Sequence, residues 1–151
     1  MNNGKIEYSY ELYIAAPPEQ VWKGLTDADS TKQYVYGTRL QSTLKQGAPY
    51  AYLGDGDFKV VDGRILEIEP GNRLVMTWSA HWDDAVSKDA PSRVTYQLTQ
   101  INPTTTKLNL VHDDFADETA TYTGSVAGWP LMLSSLKSLL ETGKPIAAPQ
   151  T

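Results

Sequence analysis

The 151-residue sequence predicts an α+β fold, an antiparallel sheet packed against helices with the longest helix last. Three observations predict it. Short segments of alternating apolar and polar residues recur between Ile6 and Phe115. Turn-forming pairs such as Asp55-Gly56, Pro70-Gly71 and Asn102-Pro103 separate those segments. From Ala120 onward the apolar spacing changes to steps of three and four. Strands in succession, closed by a helix, give an antiparallel sheet and not a doubly wound parallel one.

Ile6 to Ile14 alternates, with Ile6, Tyr8, Tyr10, Leu12 and Ile14 on one face, so a half-buried first strand is expected. Pro17-Pro18 ends it. Pro18 and Glu19 suit the first turn of a helix, where a missing N–H is harmless and a carboxylate meets the positive helix end. Val21, Trp22 and Leu25 form its apolar stripe, and Asp27 to Ser30 can cap a second short helix over Thr31 to Tyr36. Arg39 to Leu44 and Pro49 to Leu53 read as short strands, followed by a tight reversal at Gly54 to Asp57. Phe58 to Ile68 is a longer strand whose alternation slips around Asp62-Gly63, which predicts a bulge there. Arg73 to Trp82 follows, with Leu74, Met76, Trp78, Ala80 and Trp82 in one phase and His81 in the other. Asp83 to Pro91 reads as polar loop. Val94, Tyr96 and Leu98, then Leu108, Leu110 and His112, mark two strands joined by the hairpin at Asn102 to Thr105. Val126, Trp129, Leu133, Leu136 and Leu140 lie on one face of a helix over Ala120 to Thr142, widened by Met132 and Leu139. Pro130 either kinks that helix or begins its second half, and Gly143 caps its end.

Composition narrows the chemistry. The chain has no Cys and only two His, which removes disulfides, thiolate nucleophiles, zinc knuckles and iron–sulfur sites. Net charge is −5, so nucleic acid and anionic membrane surfaces are not expected partners. Lys5, Glu7, Glu11 and Glu19 interrupt the first apolar stretch, which argues against a signal peptide and for a cytoplasmic protein. The length suits a single domain over 1–151, with its core over about 5–143 and a flexible tail over 144–151.

The blocks Ile14-Ala15-Ala16-Pro17-Pro18-Glu19-Gln20-Val21-Trp22, Gly63-Arg64-Ile65-Leu66-Glu67-Ile68-Glu69-Pro70-Gly71-Asn72-Arg73-Leu74-Val75-Met76-Thr77-Trp78 and Thr106-Lys107-Leu108-Asn109-Leu110-Val111-His112 occur in this order. Gly128-Trp129 follows, with Leu133 and Leu136 ahead of Leu140-Glu141. Together they resemble the START-like (SRPBCC) superfamily, and within it the Aha-type branch. The resemblance implies a helix-grip fold: a curved antiparallel sheet wrapped around the C-terminal helix, two short helices after the first strand, and a hydrophobic cavity between. It also implies a small hydrophobic ligand of the lipid, polyketide or flavonoid-like aromatic kind. It carries across no universal catalytic residue.

The inward phases place Tyr10, Met76, Trp78, Trp82, Tyr96, His112, Tyr122, Trp129, Met132, Leu133 and Leu136 as candidate cavity residues. Aromatic faces stack on flat ligands and their polar tips fix orientation, though the same rings also serve simply as core packing. His112 either bonds a ligand carbonyl or phenol, or is a satisfied histidine at a strand end. His81 and His112 with their neighbouring aspartates match no metal-ligand spacing, and Asp55 and Asp57 lack the glutamate of a calcium loop. No serine lies in a nucleophile elbow. Glu67 is either a cavity base or an ion-paired surface residue. The expectation is a cofactor-free binding protein. A cyclase or hydrolase centred on His112 is the first alternative, and a co-chaperone-like or homodimeric interaction module the second.

Overall fold

The first and last strands of the chain lie side by side. In the computed structural model, which describes residues 6–146, seven strands form one sheet in the order β1-β7-β6-β5-β4-β3-β2. They are β1 (Tyr8–Ile14), β2 (Arg39–Ser42), β3 (Pro49–Leu53), β4 (Lys59–Glu69), β5 (Arg73–Ala80), β6 (Ser92–Asn102) and β7 (Thr105–Asp113). Every neighbouring pair is antiparallel. Between β1 and β2 the chain crosses from one sheet edge to the other through α1 (Pro18–Thr26) and α2 (Ala28–Tyr34). A single turn, α3 (Asp84–Ser87), follows β5, and α4 (Ala120–Thr142) closes the fold.

A sheet wetted on one side must alternate, and this one does. Leu74, Met76, Trp78 and Ala80 on β5, Val94, Tyr96 and Leu98 on β6, and Leu108, Leu110 and His112 on β7 are all buried. They meet Trp129, Leu133 and Leu136 of α4 in one core. Each fully buried aliphatic chain contributes about 1.5–3 kcal/mol over its exposed state. The α1 helix seats closely on the second half of α4: a Cβ at Gly24 would stand 2.7 Å from Leu136 Cδ1. Thr119 caps α4 by accepting from Tyr122 N–H, Gly143 ends it in the left-handed region, and the helix runs through Pro130 without interruption. The Lys144 carbonyl accepts from Ser138, and the Ile146 N–H donates to Ser135 Oγ, so the chain after α4 lies back on the helix. Residues 147–151 of the expected tail fall outside the described residues. No helix among the described residues is long and apolar enough to cross a membrane.

The structure corrects four local expectations. The α2 helix begins at Ala28, not Thr31, because Asp27 itself is the cap and accepts from Ser30 N–H. The strand β5 stops at Ala80, two residues before Trp82. The loop after it contains the α3 turn, started by Asp83 accepting from Val86 N–H. The register of β4 against β5 shifts between Ile65 and Glu67, not at Asp62-Gly63. At Gly63 and Arg64 the register is kept but the pairing lapses, and Arg64 N–H donates to Thr77 Oγ1 in place of a backbone carbonyl.

Candidate functional site

Where the first half of α4 stands away from β3, β4 and β5, a cavity of about 400 Å³ remains. This lies within the range of about 300–1,000 Å³ usual for small-molecule sites. Its walls are almost wholly apolar. Trp78 comes from β5, Tyr52 from β3, and Val60 and Val61 from β4. Ser125, Trp129 and Met132 come from α4, while Val35, Tyr36 and Thr38 come from the link between α2 and β2. Trp82 stands beyond the end of β5.

Two glycines help to create the space. Gly124 and Gly128 lie four residues apart on α4, on one helix face, and both line the cavity. A Cβ at Gly124 would come within 3.1 Å of the Trp82 ring, and one at Gly128 would meet only the Tyr36 hydroxyl, at 3.7 Å. Tyr36 and Trp82 are exposed as well as cavity-lining, so they form the mouth. Tyr36 is placed there by a left-handed backbone, φ +50°, followed by Gly37 at φ +76°. Thr31 anchors this link: its hydroxyl donates to Thr38 O and accepts from Leu40 N–H. The Tyr34 hydroxyl donates to Gly24 O and joins α2 to α1.

Behind the wall lies a chain of hydrogen bonds that fixes two tryptophans. Trp129 Nε1–H donates to His112 Nδ1 at 3.0 Å. An indole nitrogen is a donor only, so Nδ1 is the unprotonated nitrogen and Nε2 carries the hydrogen. Nε2–H therefore donates to Ser92 Oγ at 2.7 Å, and Ser92 donates onward to the Trp78 carbonyl. Burial lowers the His112 pKa to about 3, with Asp113 pulling weakly the other way. The ring is neutral at physiological pH, and both its nitrogens are engaged. Burial likewise pushes the Tyr52 phenol up to about 12 and those of Tyr34, Tyr50 and Tyr96 well above their usual range. All four are neutral hydroxyls. Trp78 is the exception to this satisfaction: its buried Nε1–H has no partner among the described residues.

The sequence candidates divide by position. Trp78, Trp82, Trp129 and Met132 line this cavity. Tyr96 stands edge-on to Trp129 in the core, and Met76, Leu133 and Leu136 are buried among the packed side chains toward the other end of the sheet. His112 lies one layer behind Trp78 and Trp129, with ring centroids 5.6 and 6.0 Å away. Tyr122 packs on Phe115, and Tyr10 is half-buried on the edge strand β1. Tyr36, Tyr52, Ser125 and the two glycines were not singled out by the sequence. Tyr52 is recognisable only through the short β3, and a glycine leaves no apolar signal at all. His81 bonds Asp62 at 2.8 Å, Glu67 is exposed beside Arg73, and no metal-ligand cluster occurs among the described residues.

A seven-stranded antiparallel sheet closed over a long C-terminal helix, with two short helices inserted after the first strand, is the helix-grip architecture of START-like proteins. The chain belongs to the family described as Activator of Hsp90 ATPase homolog 1-like protein, whose model matches residues 15–141. Its fold is similar to that of protein MLL2253 from Mesorhizobium loti, at 29% identity and a TM-score of 0.74, over 90% of this chain and 97% of that one. DynU16, from the dynemicin biosynthetic locus, is 26% identical with a TM-score of 0.73, over 92% of this chain and 48% of that one. The Aha1 dimer from Colwellia psychrerythraea shares the fold at 19% identity and a TM-score of 0.73, over 92% of this chain and 98% of that one. No curated protein matches the sequence.

Proposed function

We propose that this protein binds a small hydrophobic molecule, lipid-like, polyketide or flavonoid-like aromatic, in the cavity between α4 and the sheet. The carrying observation is the cavity itself: about 400 Å³, walled by Trp78, Trp129, Tyr52 and Met132, with Tyr36 and Trp82 at its mouth. Aromatic and thioether walls favour flat apolar guests through large contact areas and polarisable surfaces. DynU16's place in a biosynthetic locus agrees with a ligand of this kind. Binding accounts for the site better than acid–base turnover does. His112 has no free nitrogen and takes up a proton only near pH 3, whereas a general base works best with a pKa near the operating pH.

The test uses N-phenyl-1-naphthylamine, a neutral probe that fluoresces in apolar surroundings. One equivalent is expected to bind wild-type protein, and Gly128→Leu, which directs a side chain into the cavity, is expected to weaken binding at least about tenfold. Equal binding to both proteins would refute the reading.

A further inference from the structure

Of the fully covered side-chain nitrogen and oxygen atoms among the described residues, one has no hydrogen-bond partner. Trp78 Nε1–H is buried and without a partner among the described residues. Its neighbours have nothing to offer it. His112 spends Nδ1 on Trp129 and Nε2 on Ser92, and the Ser92 hydroxyl is directed to the Trp78 carbonyl. The indole is also gripped by rings on three sides, with centroids 5.9 Å away at Tyr52, 5.6 Å at His112 and 5.3 Å at Trp129. Those contacts keep the donor from turning to find an acceptor elsewhere.

A buried donor left unpaired is costly, and native folds rarely leave one without a reason. An indole N–H can only donate, so what satisfies it must be an acceptor. We propose that the ligand of this cavity is not a plain hydrocarbon but a flat hydrophobe bearing a carbonyl-type acceptor, which seats on Trp78 Nε1–H. This rests on the reading of the cavity as a ligand site and adds the chemistry of one directional contact within it. Nε1 is covered in this structure, so seating the acceptor takes a small shift of the cavity wall. Trp129, a second indole of the wall, contributes stacking alone, because its N–H is committed to His112.

Two probes of matched shape separate hydrogen bonding from burial: 2-acetylnaphthalene, a ketone, and 2-isopropenylnaphthalene, in which a methylene replaces the carbonyl oxygen. On going from wild type to Trp78→Phe, the ketone-to-alkene affinity ratio is expected to fall about five- to tenfold. In wild-type protein labelled with nitrogen-15, the Trp78 indole proton is expected to move downfield with the ketone and not with the alkene. That measurement decides alone if the variant fails to fold. An unchanged ratio, or an indole resonance that responds alike to both probes, would overturn the acceptor while leaving the cavity as a binding site. Failure of both probes to bind would overturn both readings.

Discussion

His112 illustrates how one residue's electrostatics become a property of the whole fold. Its pKa falls from 6.5 to about 3 because a charged imidazolium would lose its water among Trp78, Trp129 and Phe115. The unfolded chain takes up this proton near pH 6.5 and the folded chain does not, so acid favours unfolding. The contribution is complete above pH 6.5 and erodes as pH falls toward 3, by up to about 1.4 kcal/mol per pH unit. His112→Ala removes that slope. It also strands the Trp129 donor, leaves Ser92 Oγ without the hydrogen bond it accepts and opens a void, at a cost of about 3 kcal/mol at pH 7. Urea unfolding of both proteins at pH 7 and pH 5 measures this, and the gap between them is expected to narrow at the lower pH. A gap that does not change with pH would mean the proton is taken up equally in both states.

At the level of elements, the tightest join lies between β3, β4 and β5. Tyr50 on β3 pairs with Gly63 on β4, yet its hydroxyl donates to Thr77 O on β5 at 2.6 Å. The tyrosine therefore crosses β4 at its glycine. A Cβ at position 63 would fall 2.3 Å from Thr77 O and 2.5 Å from Thr77 Oγ1, the two atoms that accept from Tyr50 and Arg64, so relieving the clash disturbs both bonds. Gly63→Ala is expected to cost about 2–4 kcal/mol, at the severe end for a single added methyl group, as read from the chemical-denaturation midpoint. Gly128→Ala adds the same methyl group where the only neighbour is a side-chain hydroxyl, and so serves as the control.

For the molecule as a whole, a site that binds only the folded state couples occupancy to stability. At a hundredfold excess of N-phenyl-1-naphthylamine over its Kd, the stabilisation is about 2.7 kcal/mol, or a rise of about 5–10 °C in Tm. Differential scanning calorimetry is expected to show this rise in wild type and not in Gly128→Leu. The overall architecture is legible in the sequence because a sheet with one dry face imposes period two on every strand, and a helix over that face imposes three and four. Leu74, Met76 and Trp78 announce their side of β5 in this way. Phase does not report distance along the sheet. Trp78 and Tyr96 share an inward face, but only the former borders the cavity, because α4 packs down on one end and stands off at the other. The partnership of His112 with Trp129 joins residues 17 apart on a strand and a helix, and no local pattern encodes it.

That difference along α4 divides one helix into two trades. Its later turns, with Leu133 and Leu136, are wedged against the sheet and the close-fitting Gly24 of α1; they hold the fold together. Its earlier turns, with Gly124, Ser125 and Gly128, set the shape of the cavity largely by what they omit. Substitutions in the earlier turns can therefore retune which molecule fits while the foundations stay put. Under the proposed binding role, rewriting Gly124, Ser125 and Gly128 alone changes the guest, in evolution or in design.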